Sequence, residues 1–283
     1  MGIISPLRNL FRHQVIALLA AVLVVSTVHA QQSDPKTNLE DFVHYALVAN
    51  APMAEAHAQA LLDTVSAEQL AALVDDQPEM RERLNRALDW GRRVPVMEET
   101  VTELASRIEM GRLDLSRSPA RIKEAIAMLA GTRREQLLAQ ARLVAAGEYA
   151  IPALVNVIIE DSTDERVRWN AEKIVKEIGR ESVAPLSVAI VNVDKEDQRR
   201  LIEIVDGIGY VHAAPALAVV ASDENAAGTS RQVARVALER MGISPEVSPG
   251  ELYSELARMY FDERDELIAS PNDPVNNIWS WSD

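Results

Sequence analysis

Apolar side chains along this chain recur three and four residues apart, the spacing that gathers them on one face of a helix. Leu39, Phe42, Val43, Ala46 and Leu47 form the first such stripe. Met53, Ala56, Ala60 and Leu61 form a second after Pro52, and Ser66 with Gln69 supplies a capping box for a third helix. Pro78 opens a helix through Leu84, Ala87 and Leu88 to Gly91, and another is expected from Pro95 to Gly111 with Val101, Leu104, Ala105 and Ile108 on one face. Ser118 and Pro119 provide an N-cap and a first-turn proline for a helix through Ile122, Ile126 and Leu129, ending at Gly131. Thr132 and Glu135 cap the next, with Leu137, Leu138, Ala141 and Val144 as its expected apolar stripe and Gly147 as its stop. No run alternates with the period of a strand, so the predicted class is all-α.

From Gly147 onward the pattern repeats. Ile151-Pro152-Ala153-Leu154, Val183-Ala184-Pro185-Leu186 and Ala214-Pro215-Ala216-Leu217 each begin a helix, and each is followed by an acidic turn, a second apolar stripe and a glycine. The prolines lie 33 and 30 residues apart, and the closing glycines Gly179, Gly209 and Gly242 lie 30 and 33 apart. That is the period of stacked helix pairs. Such a pair is too short to bury its own stripe and has to stack on its neighbours. In this reading residues 37–146 are an N-terminal helical region of degenerate repeats or a cap, and 147–242 are three repeats. Residues 243–269 hold a capping helix started by Ser248-Pro249-Gly250-Glu251, and 270–283 are an extended tail. Asn277 to Trp281 either dock as a short strand or lie free, and Trp279 and Trp281, two residues apart on one side of that segment, either cover the end of the stack or mark the start of a further region.

The glycine start, Ala-x-Pro-x-Leu first helix, acidic turn, Val-Arg-x-x-Ala second helix and closing Ile-Gly resemble the HEAT repeat of the armadillo-like superhelix. Ala150 to Gly179 carries the fullest match: Ile151-Pro152-Ala153-Leu154, Asp161 or Asp164, Val167-Arg168, Ala171 and Ile178-Gly179. The next unit keeps Pro185-Leu186 and Ile208-Gly209 but has Arg199-Arg200-Leu201 where Val-Arg is expected, and the third has Arg235 displaced along its helix. The resemblance covers about a third of the chain. It implies a right-handed α-solenoid of antiparallel helix pairs whose second helices line a concave face that commonly binds a protein or peptide. Catalysis is uncommon in such families; one related group, the bilin lyases, handles a chromophore in the cytoplasm.

The first thirty residues have a different character. Arg8, Arg12 and His13 precede an apolar run from Val15 to Val25, and the small residues up to Ala30 suit signal peptidase, so residues 1–30 read as a leader cleaved after Ala30 and 31–36 as a flexible start. Eleven apolar residues span only ~16 Å as a helix, short of a ~30 Å hydrocarbon core. The expected location is therefore periplasmic or secreted, with no stable membrane insertion after cleavage. The chain has no cysteine, so export brings no disulfides. Its net charge of −14, made more negative by loss of Arg8 and Arg12, argues against nucleic acid as a partner.

Little in the sequence points to catalysis. Beyond the leader there are three histidines, His44, His57 and His212, none within four residues of another, and no metal-ligand spacing. Gly207-Ile208-Gly209 lacks the third glycine of a dinucleotide loop. No catalytic residue, cofactor or metal is expected. The acidic turns (Asp161 with Asp164, Asp194 with Asp197, Asp223 with Glu224) read as helix caps, with a stacked calcium site as the alternative. Arginines early in each second helix fall in register, so Arg168, Arg200 and Arg235 are candidate partner-binding residues, against an internal ladder with the acidic turns. Trp169 joins them as a candidate anchor, against a role filling the gap between repeats. The leading expectation is an exported, non-enzymatic scaffold binding a protein or envelope component on its concave face. The alternatives are a lyase-like or hydrolytic enzyme with a site in the solenoid groove, and a structural spacer in a longer secreted protein.

Overall fold

The computed structural model describes residues 34–75, 78–267 and 277–282. The expected leader lies outside them, as do Ala269 to Pro274 of the tail. The described residues form helices with no strand. They fall into two compact units, one ending at Gly111 and the other beginning at Arg112.

In the first unit α1 (Pro35–Leu47) packs against α2 (Ala51–Thr64) and α4 (Pro78–Gly91), and α3 (Ala67–Asp75) packs against α4. α1 starts at Pro35, two residues before the expected boundary, because proline at a first helical position gives up an N–H that has no partner there anyway. Asn50 caps α2, and Ser66 and Gln69 exchange backbone and side-chain bonds at the start of α3, as the sequence predicts. Leu39, Phe42, Leu61, Leu84 and Leu104 are fully buried in one core.

The expected helix from Pro95 to Gly111 is displaced. α5 runs Glu98–Ser116 and passes through Gly111, whose Cα lies against the backbone of Ala67 so closely that a Cβ would overlap the Ala67 carbonyl. Here glycine marks the close approach of two backbones and not a helix end.

The second unit holds two rows of helices. α6 (Pro119–Met128), α8 (Ile151–Ile159), α10 (Val183–Asn192), α12 (Ala214–Ser222) and α14 (Pro249–Phe261) pack in that succession. Beside them α7 (Arg133–Ala146), α9 (Glu165–Ile178), α11 (Gln198–Ile208) and α13 (Gly228–Arg240) form the second row, each also packed on the first-row helix just before it. Thr132 and Glu135 make the predicted capping box of α7, and Ser248 and Glu251 that of α14; Ser118 occupies the cap position of α6, but its hydroxyl makes no capping bond.

The expected stripe of α7 needs correction. Leu137 and Leu138 are exposed, and the buried face carries Ala139, Leu143 and Ala146. Adjacent apolar residues offer two overlapping stripes, and packing on α6 and α9 selects the other one. The stretch 133–159 is apolar and long enough to cross a membrane by length and composition alone. It is broken at Gly147, which has φ 58°, and Leu143, Ile151, Leu154 and Ile158 are buried in the helical core.

Short 3-10 turns, Gly147–Ala150, Gly179–Ser182 and Val211–Ala213, lead into α8, α10 and α12. Gly147, Gly179, Gly209 and Gly242 all have positive φ at second-row helix ends, which is why glycine recurs there. Pro152, Pro185 and Pro215 stand in the first turns of α8, α10 and α12, where no intrahelical donor is lost.

Candidate functional site

Three of the four candidate residues are held inside the chain. The Arg168 guanidinium donates to the Glu160 carbonyl at 2.8 Å, and that of Arg200, from the next helix pair, donates to the Ile158 carbonyl at 3.2 Å. Both positive charges therefore sit at the C-terminal end of α8, where free carbonyls and the negative end of the helix dipole favour them. Arg235 pairs with Glu246.

Trp169 differs. It lies on the first turns of α9, beside Arg168, yet 60% of its surface is open to solvent. The inward face of α9 is filled instead by Ala171, Ile174 and Val175.

Of the three acidic turns expected to cap helices, that of Asp164 does so, whereas Asp197 stands at the N-cap of α11 without a capping bond and Ala227 occupies that position of α13. Asp164 caps α9 by accepting from the N–H groups of Arg166 (2.9 Å) and Val167 (3.4 Å), as its position predicts. Asp223 accepts from the Asn225 N–H and from Lys195, which lower its carboxyl pKa. Partial burial raises that of Asp197, and the neighbouring charge of Asp161 in the preceding turn adds to the rise. Among the described residues no group of three or more histidine, cysteine or acidic side chains is placed to hold a metal ion.

A second constellation lies along the 3-10 turns. Glu148 and Tyr149 precede α8, and the tail residues Asn277 and Trp279 converge on them. The Asn277 side-chain amide donates to Glu148 Oε1 at 2.5 Å and to the Tyr149 hydroxyl at 2.8 Å, while the Trp279 indole N–H donates to Glu148 Oε2 at 2.6 Å. Trp279 meets the Tyr149 ring edge-on at 6.2 Å between centroids, and the Arg117 guanidinium lies 4.6 Å over that ring. Beyond this point residues 279–282 of the tail and side chains of α8 and α10, among them Ile151, Val155, Asn156, Pro185 and Ala189, together border a groove with an open space of about 250 Å³. Its lining carries no ionisable side chain.

Further along the same row of turns, His212 Nε2 is hydrogen-bonded to the Tyr260 hydroxyl at 2.8 Å, and its ring stacks on Tyr210, over which Arg180 lies. Burial pushes the His212 imidazole pKa down. Burial also raises that of Tyr260, with the Glu148 charge adding to the effect. Glu148, Tyr149 and Tyr260 did not stand out in the sequence as site residues, and Asn277 did so only as part of a segment that docks or lies free. The one signal available was the two-residue spacing of Trp279 and Trp281, since both tryptophans line the groove. The tail docks along α8 and α10 without forming a strand.

No family model, curated protein or solved structure matches this chain.

Proposed function

We propose that this chain is an exported, non-enzymatic helical-repeat scaffold that holds a protein or peptide partner on the face formed by its second-row helices, with Trp169 as the anchor. The reading takes the second unit as a right-handed, HEAT-like solenoid of antiparallel pairs. Successive packing within each row supports it. So do polar links between consecutive pairs: Gln140 to Glu177, Lys195 to Asp223, and Arg240 to Asp206. The Val15–Val25 run and the small residues at Ala30 support export.

The exposure of Trp169 carries the functional proposal. A large aromatic side chain left in water on a helix whose core face is already filled is the residue type that most often anchors an interface. Arg168 and Arg200 are bound to backbone carbonyls at the C-terminal end of α8, so both are engaged within the fold.

The test places a photo-crosslinking residue at position 169 in cells, identifies the trapped partner, and measures its affinity for the purified chain. Trp169→Ala should weaken binding about thirtyfold or more. The melting temperature should stay within about 2 °C, as for an exposed side chain. Crosslinks that form no specific product at 169, together with turnover of a small-molecule substrate by the purified chain, would overturn the proposal.

A further inference from the structure

The contacts made by the tail describe what the groove between α8 and α10 recognises. One carboxylate, Glu148, receives two N–H donors from side chains two residues apart, the Asn277 amide and the Trp279 indole. A charged acceptor satisfied in this way favours an extended peptide that presents both donors on one side. Past Trp279, the α8 and α10 side chains along the groove are apolar apart from Asn156, and Trp281, which borders the same space, remains 43% exposed. Ile278, pointing the other way, is 98% exposed and contributes nothing to the docking. Asn277 and Trp279 are thus held through Glu148, Ile278 is free, and residues 279–282 all border the groove.

We infer that this groove is a peptide-recognition site for an extended Asn-x-Trp-x-Trp segment, and that residues 277–282 are its resident ligand, exchangeable for the same sequence supplied in trans. A site built only to tie down the end of the chain would bury what it holds. This site leaves Trp281 nearly half in solvent, and no ionic or backbone ladder fixes the described tail. The occupant in trans is a peptide of the same chemistry: an asparagine and a tryptophan two residues apart for Glu148, and a second tryptophan for the apolar side of the groove. A tethered tail competes at an effective concentration on the order of mM, so added peptide meets a site that is mostly filled.

The test uses the full chain and a fluorescent peptide spanning residues 275–283. Against a full-length variant carrying Asn277→Ala, Trp279→Ala and Trp281→Ala, the peptide should bind at least about tenfold more tightly than against the unaltered chain, because the competing tail is disabled. Adding Glu148→Gln to that variant, or Trp279→Phe to the peptide, should weaken binding about tenfold by removing a charge-assisted bond. In the unaltered chain, excess unlabelled peptide should shift the Trp279 indole N–H resonance towards that of a free tail. A peptide that fails to bind the folded tail variant, binding indifferent to Glu148→Gln, or a Trp279 resonance that does not move in excess peptide would each overturn the inference. Trp169→Ala should leave peptide affinity unchanged, which separates this site from the proposed second-row interface.

Discussion

Gly179 and Gly209 end consecutive second-row helices with different backbones. Gly179 has φ 71° and ψ −128°, whereas Gly209 has φ 68° and ψ 28°. The first lies in territory that residues with a Cβ scarcely enter, and the second lies in the left-handed helical region that asparagine tolerates. No atom stands within 4 Å of a Cβ built on Gly179, so the cost of a substitution there is conformational and not steric. Gly179→Ala should therefore lower stability by about 1–3 kcal/mol, while Gly209→Asn should cost well under about 1 kcal/mol. Denaturant melts of the two variants check the order.

His212 supplies a second expectation at this scale. Its imidazole pKa is pushed down by burial, so between that lowered value and the ordinary histidine value the unfolded chain binds more protons than the folded one. The contribution to stability is complete above the ordinary value and is lost as the pH falls below it, at no more than about 1.4 kcal/mol per pH unit. Melting temperatures measured from pH 7.5 down to 5 should fall, and His212→Gln should flatten the slope over that window.

At the scale of elements, a residue was legible in the sequence where its reason is local. The capping pairs Thr132 with Glu135 and Ser66 with Gln69 act within one turn, and the closing glycines answer to the backbone of their own helix, so pattern alone locates them. Gly111 has the same side chain as Gly179 and a non-local reason, contact with Ala67, which is why it reads from sequence as a stop inside what is a continuous helix. α7 fails in the same manner, since its buried face is chosen by α6 and α9. The groove was the least legible feature, because its defining bonds join Glu148 and Tyr149 to residues 128 to 131 positions away. The carbonyls that bind Arg168 and Arg200 belong to backbone that no side-chain pattern reports, and Arg235 pairs with the side chain of Glu246 instead. Gly111→Ala provides the check on the non-local reading. A helix stop would tolerate alanine, whereas a Cβ pressed on the Ala67 backbone should cost about 1–3 kcal/mol, read as a drop in denaturation midpoint with helical circular dichroism retained.

For the second unit as a whole, the consequence of packing in rows is that each helix pair depends chiefly on its neighbours. α12 touches α10, α13 and α14, and α6 and α7 are not among its main partners. Under the proposed solenoid, free energy is close to a sum of terms for each pair and each junction, and damage stays near its source. Leu217 is fully buried in α12, so Leu217→Ala should remove about 2–5 kcal/mol from that end. Under the proposed solenoid, amide exchange should then accelerate in α12, α13 and α14, less in α10 and α11, and little in α6 and α7. A single cooperative core predicts a different result, with every slowly exchanging amide from α6 to α14 losing protection together. Exchange rates resolved by helix therefore test the one-dimensional arrangement directly, and a uniform loss would remove the physical basis for treating the second row as an extended binding face.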